Sequence, residues 1–142
     1  MRIDAAMGSI EVGQIAYGRQ LQRSRAATEA MALLARHVFD DLGMRRYEWK
    51  CDSLNAASRR AAIRLGFIWE GRFRNALVYK GRNRDTDWFS ITDREWPRVR
   101  AALDAWLDDA NFDDAGRQRV RLAARPADPA QPADQPADQQ EA

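Results

Sequence analysis

The sequence is short of the residues that covalent and metal chemistry most often use. It holds one cysteine, Cys51, and one histidine, His37, in 142 residues. A lone cysteine excludes an internal disulfide, and one cysteine with one histidine falls short of a structural zinc site. Ser-His-Asp and Cys-His nucleophilic catalysis are excluded unless His37 is the base. Lysine is scarce too, with only Lys50 and Lys80 beside 21 arginines. No apolar run reaches the roughly 20 residues that span a bilayer. The N-terminus carries no signal-peptide pattern. These absences lead us to expect a soluble, cytoplasmic protein with no membrane partner.

What is present suits a folded domain. The chain is 45% hydrophobic and holds five tryptophans, enough to build a core. Charge is divided unevenly. Residues 1–125 hold 23 basic and 17 acidic residues, a net +6, while residues 126–142 hold Asp128, Asp134, Asp138 and Glu141 and no base. A basic body suits an anionic partner, whether a phosphorylated cofactor or nucleic acid; a solvated arginine-rich surface is the plainer explanation. The last 17 residues, PADPAQPADQPADQQEA, form a degenerate Pro-Ala-Asp repeat with nothing to bury, and are expected to be disordered. Residues 1–108 then form the folded body. Residues 109–125 form a charged extension, partly helical or frayed, with fraying from Ala115.

Periodicity predicts the elements. Residues 10–17 alternate as a strand, with Ile10, Val12, Gln14 and Ala16 on one face and Glu11, Gly13, Ile15 and Tyr17 on the other. Asp4 to Gly8 reads as a hairpin turn after an earlier strand ending at Met1–Asp4. Residues 26–42 predict a helix with Met31, Leu34, Val38 and Leu42 on its buried stripe, closed by Gly43. Residues 45–52 alternate again, with Tyr47, Trp49 and Cys51 sharing a face. A helix between two strands makes a crossover, so these strands should be parallel and adjacent. Residues 56–65 predict a second helix, with Ala57, Ala61, Ala62 and Leu65 inward and Arg59, Arg60 and Arg64 outward, capped by Gly66. Strands 67–80 and 86–92 should form a hairpin through Gly81–Asp85, before a last helix over about 93–108 with Val99, Leu103, Trp106 and Leu107 inward. The fold class is α+β, with a mixed sheet.

Two segments could carry chemistry. Between the first crossover strand and its helix lie Arg23, Ser24, Arg25, Ala26, Ala27 and Thr28. A helix start presents unpaired N–H groups and a positive dipole end, two arginines add charge, and the alanines admit a ligand to the backbone. An ordinary cap by Ser24 or Thr28 accounts for the same pattern. The second segment is Asn55 to Ser58, where Asn55 either caps the next helix or faces a cleft with Ser58. Glu11 is a strand carboxylate, either a general base near that cleft or simply solvated. His37 should be partly buried and Cys51 an inert packed thiol. Arg72, Arg74, Arg82 and Arg84 cluster at the hairpin, as a solvated face or as a contact for an acidic partner.

In these segments the sequence resembles the Gcn5-related N-acetyltransferase (GNAT) superfamily, in the branch similar to ribosomal-protein N-terminal acetyltransferases. The resemblance rests on residues 22–30, on Tyr47 to Asn55, on Ser58 to Gly66-Phe67, on Glu70-Gly71 and on Asp85 to Ser90, and runs in order over about residues 1–107. It implies a three-layer fold, acetyl-CoA as cofactor, an amine acceptor and no specific nucleic-acid partner. It implies that Gln22 to Ala27 form the pyrophosphate loop, with Arg25 where the family places glycine. The backbone of Gly13, Gln14 and Ile15 would bind the pantetheine amides, Asn55 would contact the cofactor arm, and Ser58 would protonate the departing thiolate. The family places a strand, two helices and another strand before the segment that opens this chain. Residues 1–108 are therefore expected to be the C-terminal portion of such a domain, from a misplaced start, a truncated gene, or a fragment completed by pairing, for example as a homodimer. A catalytically incomplete CoA- or partner-binding chain is the alternative, and an arginine-rich nucleic-acid binder a third.

Overall fold

Alternation at Arg46–Asp52 (β3) sets the architecture. Tyr47, Trp49 and Cys51 are buried toward the helices, and Glu48, Lys50 and Asp52 point to the opposite face of the sheet. The computed structural model describes residues 2–124; the Pro-Ala-Asp tail lies outside them. Around β3 lie Ile3–Asp4 (β1), Ser9–Val12 (β2), Ile68–Tyr79 (β4) and Arg82–Thr92 (β5), in the order β1-β2-β3-β5-β4. The β2–β3 pair is parallel, as a crossover requires, and the other pairs are antiparallel. The mixed sheet with its three helices is an α+β fold.

The helices Arg25–Arg36 (α1), Ala56–Arg64 (α2) and Trp96–Leu107 (α3) pack on the face that carries Ile10, Val12, Tyr47, Trp49, Phe89 and Ile91. Aromatic contacts lock this layer. Phe39 stacks on Trp96 at 5.1 Å, and Phe67 lies 5.3 Å from Tyr47 and 5.5 Å from Trp49. Each such pair contributes about 0.5–1.5 kcal/mol beyond area burial. Among the described residues these helices and the sheet make two layers, and the other sheet face is polar.

Several expected boundaries move. The first crossover strand stops at Val12, because Gln14 takes φ +56 and breaks the alternation; Gln14 and Ala16 are exposed and Ile15 packs back on the core. The helix expected over 26–42 becomes regular only over Arg25–Arg36 and then widens into a π-turn, His37–Asp41. Its buried stripe is Ala27, Thr28, Met31, Ala32, Ala35 and Val38. Small side chains let the helix sit close to the sheet, and Leu34 and Leu42 are left 42% and 45% exposed. They line an apolar hollow of about 220 Å³ with Ile3, Ile10 and Tyr47. His37 is exposed and pairs with Asp41 at 2.8 Å, one turn along the helix.

In α2, Ala57 is exposed rather than inward. Arg59 turns in to the fully buried Asp87 at 3.0 Å, and Arg64 also reaches inward. A buried carboxylate must be paired, and Asp87 draws Arg59 and Arg72 to it. The hairpin turn is Lys80–Gly81, not Gly81–Asp85. Both residues have positive φ, as a two-residue type I′ turn requires, so β5 begins at Arg82.

After α3 the chain makes a 3₁₀ turn, Asp109–Asn111, and returns along the helix, with a bridge between Phe112 and Gln118. Ala124 is buried beside Gly66 and Val99. Gly66 has φ +99, and a Cβ there would lie 2.8 Å from Val99 Cγ1 and 3.2 Å from Ala124 Cβ. Gly66→Ala should therefore destabilise the protein by about 2–3 kcal/mol in urea unfolding. A loss below about 0.5 kcal/mol, the size of an ordinary surface change, would contradict this packing.

Candidate functional site

The parallel pair β2–β3 is only four residues long, from Ser9↔Arg46 to Val12↔Trp49. β3 runs on through Lys50, Cys51 and Asp52 with no partner on that side. β2 does not, because the chain swings out at Gln14. The strands part and leave a wedge. The backbone of Gly13, Gln14 and Ile15 lines one wall, and the edge of Lys50–Asp52 lines the other. Their polar groups lie outside the ladder and call for other partners.

The segment leaving this wedge ends at the start of α1. Gln22 Nε2 donates to the Tyr17 carbonyl at 2.8 Å and braces the loop. Ser24 caps the helix: its Oγ accepts from the Ala27 N–H at 3.1 Å and donates to the Leu21 carbonyl at 2.7 Å. Ala26 is exposed, while Ala27 and Thr28 face the core. Thr28 Oγ1 accepts from Arg64 Nη1 at 3.0 Å. The two loop arginines part company. Arg23, at φ +61, is exposed beside the cap. Arg25 reaches away, donating to the Leu107 carbonyl and to Asp109 Oδ1 (2.7 Å), with its guanidinium 4.5 Å from the centre of the Phe112 ring.

Ser58 and Glu11 sit on opposite faces of the sheet, near the mouth of the wedge. Asn55 caps α2, accepting the Ser58 N–H at 3.0 Å. That places the Ser58 hydroxyl to accept from Trp49 Nε1 at 2.9 Å. The same hydroxyl hydrogen-bonds the Cys51 thiol, whose pKa burial nevertheless pushes up. On the polar face, Glu11 accepts from Lys50 Nζ at 3.0 Å. Lys50 also lies 3.3 Å from Glu48 and 3.7 Å over the Trp88 ring. Trp49 and Lys50 were not singled out as site residues. A core-facing indole needs an acceptor for its N–H, and that requirement points to a nearby hydroxyl such as Ser58.

Beyond Lys50 the polar face continues as an ion-pair lattice. Arg46 grips Glu70 in a bidentate pair at 2.8 and 2.6 Å and also bonds Glu48 at 2.8 Å. The Arg46 hydrogen bond is the main cause holding the Glu70 carboxyl below its usual range. Burial opposes ionisation of Glu48, but hydrogen bonds from Arg46 and Lys50 outweigh it and hold that carboxyl low as well. Among the described residues no cluster of ligands could hold a metal ion, and no helix is long and apolar enough to cross a membrane.

Residues 1–68 match the model of the acetyltransferase (GNAT) domain. A GCN5-related N-acetyltransferase from Brucella melitensis is 56% identical, superposes with a TM-score of 0.84, and aligns over 86% of this chain and 55% of its own. A GNAT-family protein from Chromobacterium violaceum ATCC 12472 is 53% identical, with a TM-score of 0.63 over 64% of this chain and 46% of its own. YdaF of Bacillus subtilis (strain 168), provisionally named a ribosomal N-acetyltransferase, is 32% identical over 69 residues, which are 49% of this chain and 38% of YdaF. The chain thus spans at most 55% of the length of any of these three relatives.

The lattice gives stability a definite pH dependence. Glu48 and Glu70 have depressed pKa values in the folded state, so their contribution is complete above the unfolded value of about 4.3 and is lost as pH falls through the folded values. The contribution of this lattice to the urea midpoint should be complete above about pH 4.3 and be lost as pH falls below it, through the depressed folded values. Arg46→Met should lower the neutral-pH midpoint and flatten the acid decline. An equal acid decline in the variant would remove Arg46 from the explanation.

Proposed function

We propose, from this chain's membership of the GNAT superfamily, that it carries the acetyl-CoA half of an N-acetyltransferase site and moves an acetyl group to an amine. The observation that carries this reading is the parting of β2 and β3 directly before the start of α1. A wedge lined by unpaired backbone amides suits the peptide-like arm of CoA, and a helix N-terminus at its end suits a pyrophosphate. The residues fit that substrate. The backbone of Gly13, Gln14 and Ile15 would bond the pantetheine amides. The start of α1 at Ser24 to Thr28, held by Gln22 and flanked by Arg23, would receive the phosphates. Asn55 would serve the arm only through its amide nitrogen, since its oxygen is engaged in the cap.

Acetyl-CoA supplies an activated thioester, so transfer needs no covalent enzyme intermediate. The chain's own groups then have three tasks. Glu11 takes the proton of the attacking amine from the polar face. A backbone N–H of the Gly13–Ile15 wall stabilises the developing oxyanion. Ser58, oriented from the other face by Trp49, gives a proton to the leaving thiolate. With base and acid on separate faces, the amine loses its proton as it adds to the carbonyl, and the tetrahedral oxyanion then collapses as the C–S bond breaks and the thiolate is protonated. Lys50, 3.0 Å from Glu11, fixes the position of that carboxylate. The acceptor class follows the relatives: a protein N-terminus, as the name of YdaF suggests, or a small amine.

Two measurements test this reading. Calorimetry of the full chain should show saturable acetyl-CoA binding, weakened about tenfold in Arg23→Ala through loss of a charged contact to phosphate. A folded chain that binds no acetyl-CoA would sink the assignment. With an accepted amine in hand, Ser58→Ala should lower kcat by about 10²-fold while leaving acetyl-CoA affinity within about twofold. Parallel losses in kcat and affinity would make Ser58 a packing residue instead.

A further inference from the structure

The first turn of α1 is tied into a ring of two arginines and two aromatics drawn from all three helices and the returning strap after α3. The Arg25 guanidinium lies 4.5 Å from the centre of the Phe112 ring. Phe112 meets Trp106 edge-on, with ring centroids 5.1 Å apart. The Arg64 guanidinium lies 4.9 Å from the centre of the Trp106 ring, and Arg64 donates to Thr28 Oγ1 at 3.0 Å. Arg25 and Thr28 belong to the same helical turn, so the ring closes on itself. Polar bonds fix its far side. Asn111 Nδ2 donates to the Trp106 carbonyl at 2.9 Å, and Arg25 holds the Leu107 carbonyl and Asp109 where α3 ends. A guanidinium is favoured there, because the carbonyls of a helix C-terminus carry partial negative charge.

Arg25 is engaged by the Leu107 carbonyl, Asp109 and Phe112, and Arg64 by Thr28 and Trp106, so both guanidiniums already have partners within the protein. We infer that this clasp, and Phe112 within it, positions the start of α1 so that its N–H groups keep a fixed aim; Arg25 and Phe112 are positioning residues and not anion contacts. The inference rests on the proposed acetyl-CoA site and adds a dependence of that site on the strap. Helix ends fray unless they are held, and an anion gains most from N–H groups that need no reordering on binding. The strap would thus set cofactor affinity from the far side of the helix.

The test compares the full chain with Phe112→Ala and Phe112→Tyr, using acetyl-CoA calorimetry and amide hydrogen exchange without ligand. Phe112→Ala should bind acetyl-CoA about tenfold more weakly. Its exchange should accelerate at residues 25–28 while β3 stays protected. Phe112→Tyr, which keeps the ring, should restore both. Unchanged affinity in Phe112→Ala, or acceleration spread over β3 as well, overturns the inference. If Phe112→Ala does not fold, Arg25→Lys takes its place: it keeps the charge, loses the planar fork, and should show the same paired effects. Wild-type affinity in that variant overturns the inference equally. A wild-type chain that binds no acetyl-CoA fails the functional reading, and the clasp's role with it. Wild-type binding with no effect of either variant fails the clasp alone.

Discussion

The wedge exists because two parallel strands stop pairing before one of them ends. A strand that runs on past the end of its partner leaves N–H and carbonyl groups that need other partners. Here β2 leaves at Val12 while β3 continues to Asp52. The departure is enforced locally, by Gln14 at φ +56, and globally, because the chain must reach Ser24 to begin α1. The segment that leaves the gap at Gln14 is the one that runs on to the cap of α1 at Ser24.

The two sheet faces solve different problems at the same strand positions. Val12 and Trp49 close the helical face with apolar and aromatic packing. One residue away in each strand, Glu11 and Lys50 close the other face with charge. Buried ion pairs gain little net stability, because desolvation offsets attraction. The lattice of Glu11, Lys50, Glu48, Arg46 and Glu70 is better understood as a means of fixing side-chain positions. Glu11, the general base proposed above, is held by Lys50, which is itself held by Glu48 and the Trp88 ring.

Much of this was legible in the sequence where a side-chain period met a strong turn signal. Tyr47, Trp49 and Cys51 alternate cleanly, and their strand lies where expected and parallel to its predecessor. Residues 10–17 also alternate, but Gln14 carries no sign that it will adopt positive φ, so the break that makes the site was invisible. Leu34 and Leu42 satisfy the helical period yet lie at the flank, because Ala32 and Ala35 pack more closely on the sheet. Arginine misled most. Arg25, Arg59 and Arg64 read as solvent or ligand charges, whereas the structure spends them on Asp109 and Phe112, on Asp87, and on Thr28 and Trp106. Their partners lie up to 87, 28 and up to 42 residues away, beyond the reach of any local pattern.

Placement also accounts for the shortage of reactive side chains noted at the outset. Cys51 is buried with its thiol pKa raised, which disfavours the thiolate that a nucleophile needs. His37 is exposed on the π-turn beyond α1, engaged with Asp41 rather than with the wedge. Neither supplies a nucleophile to the gap between β2 and β3. What the gap offers instead is backbone amides, a helix end, one oriented hydroxyl and one paired carboxylate. On the proposed reading, that set forms no covalent bond to a substrate and serves to align two reactants and move their protons. A donor already activated as a thioester asks for little more, so a chain with one cysteine and one exposed histidine is well matched to acyl transfer.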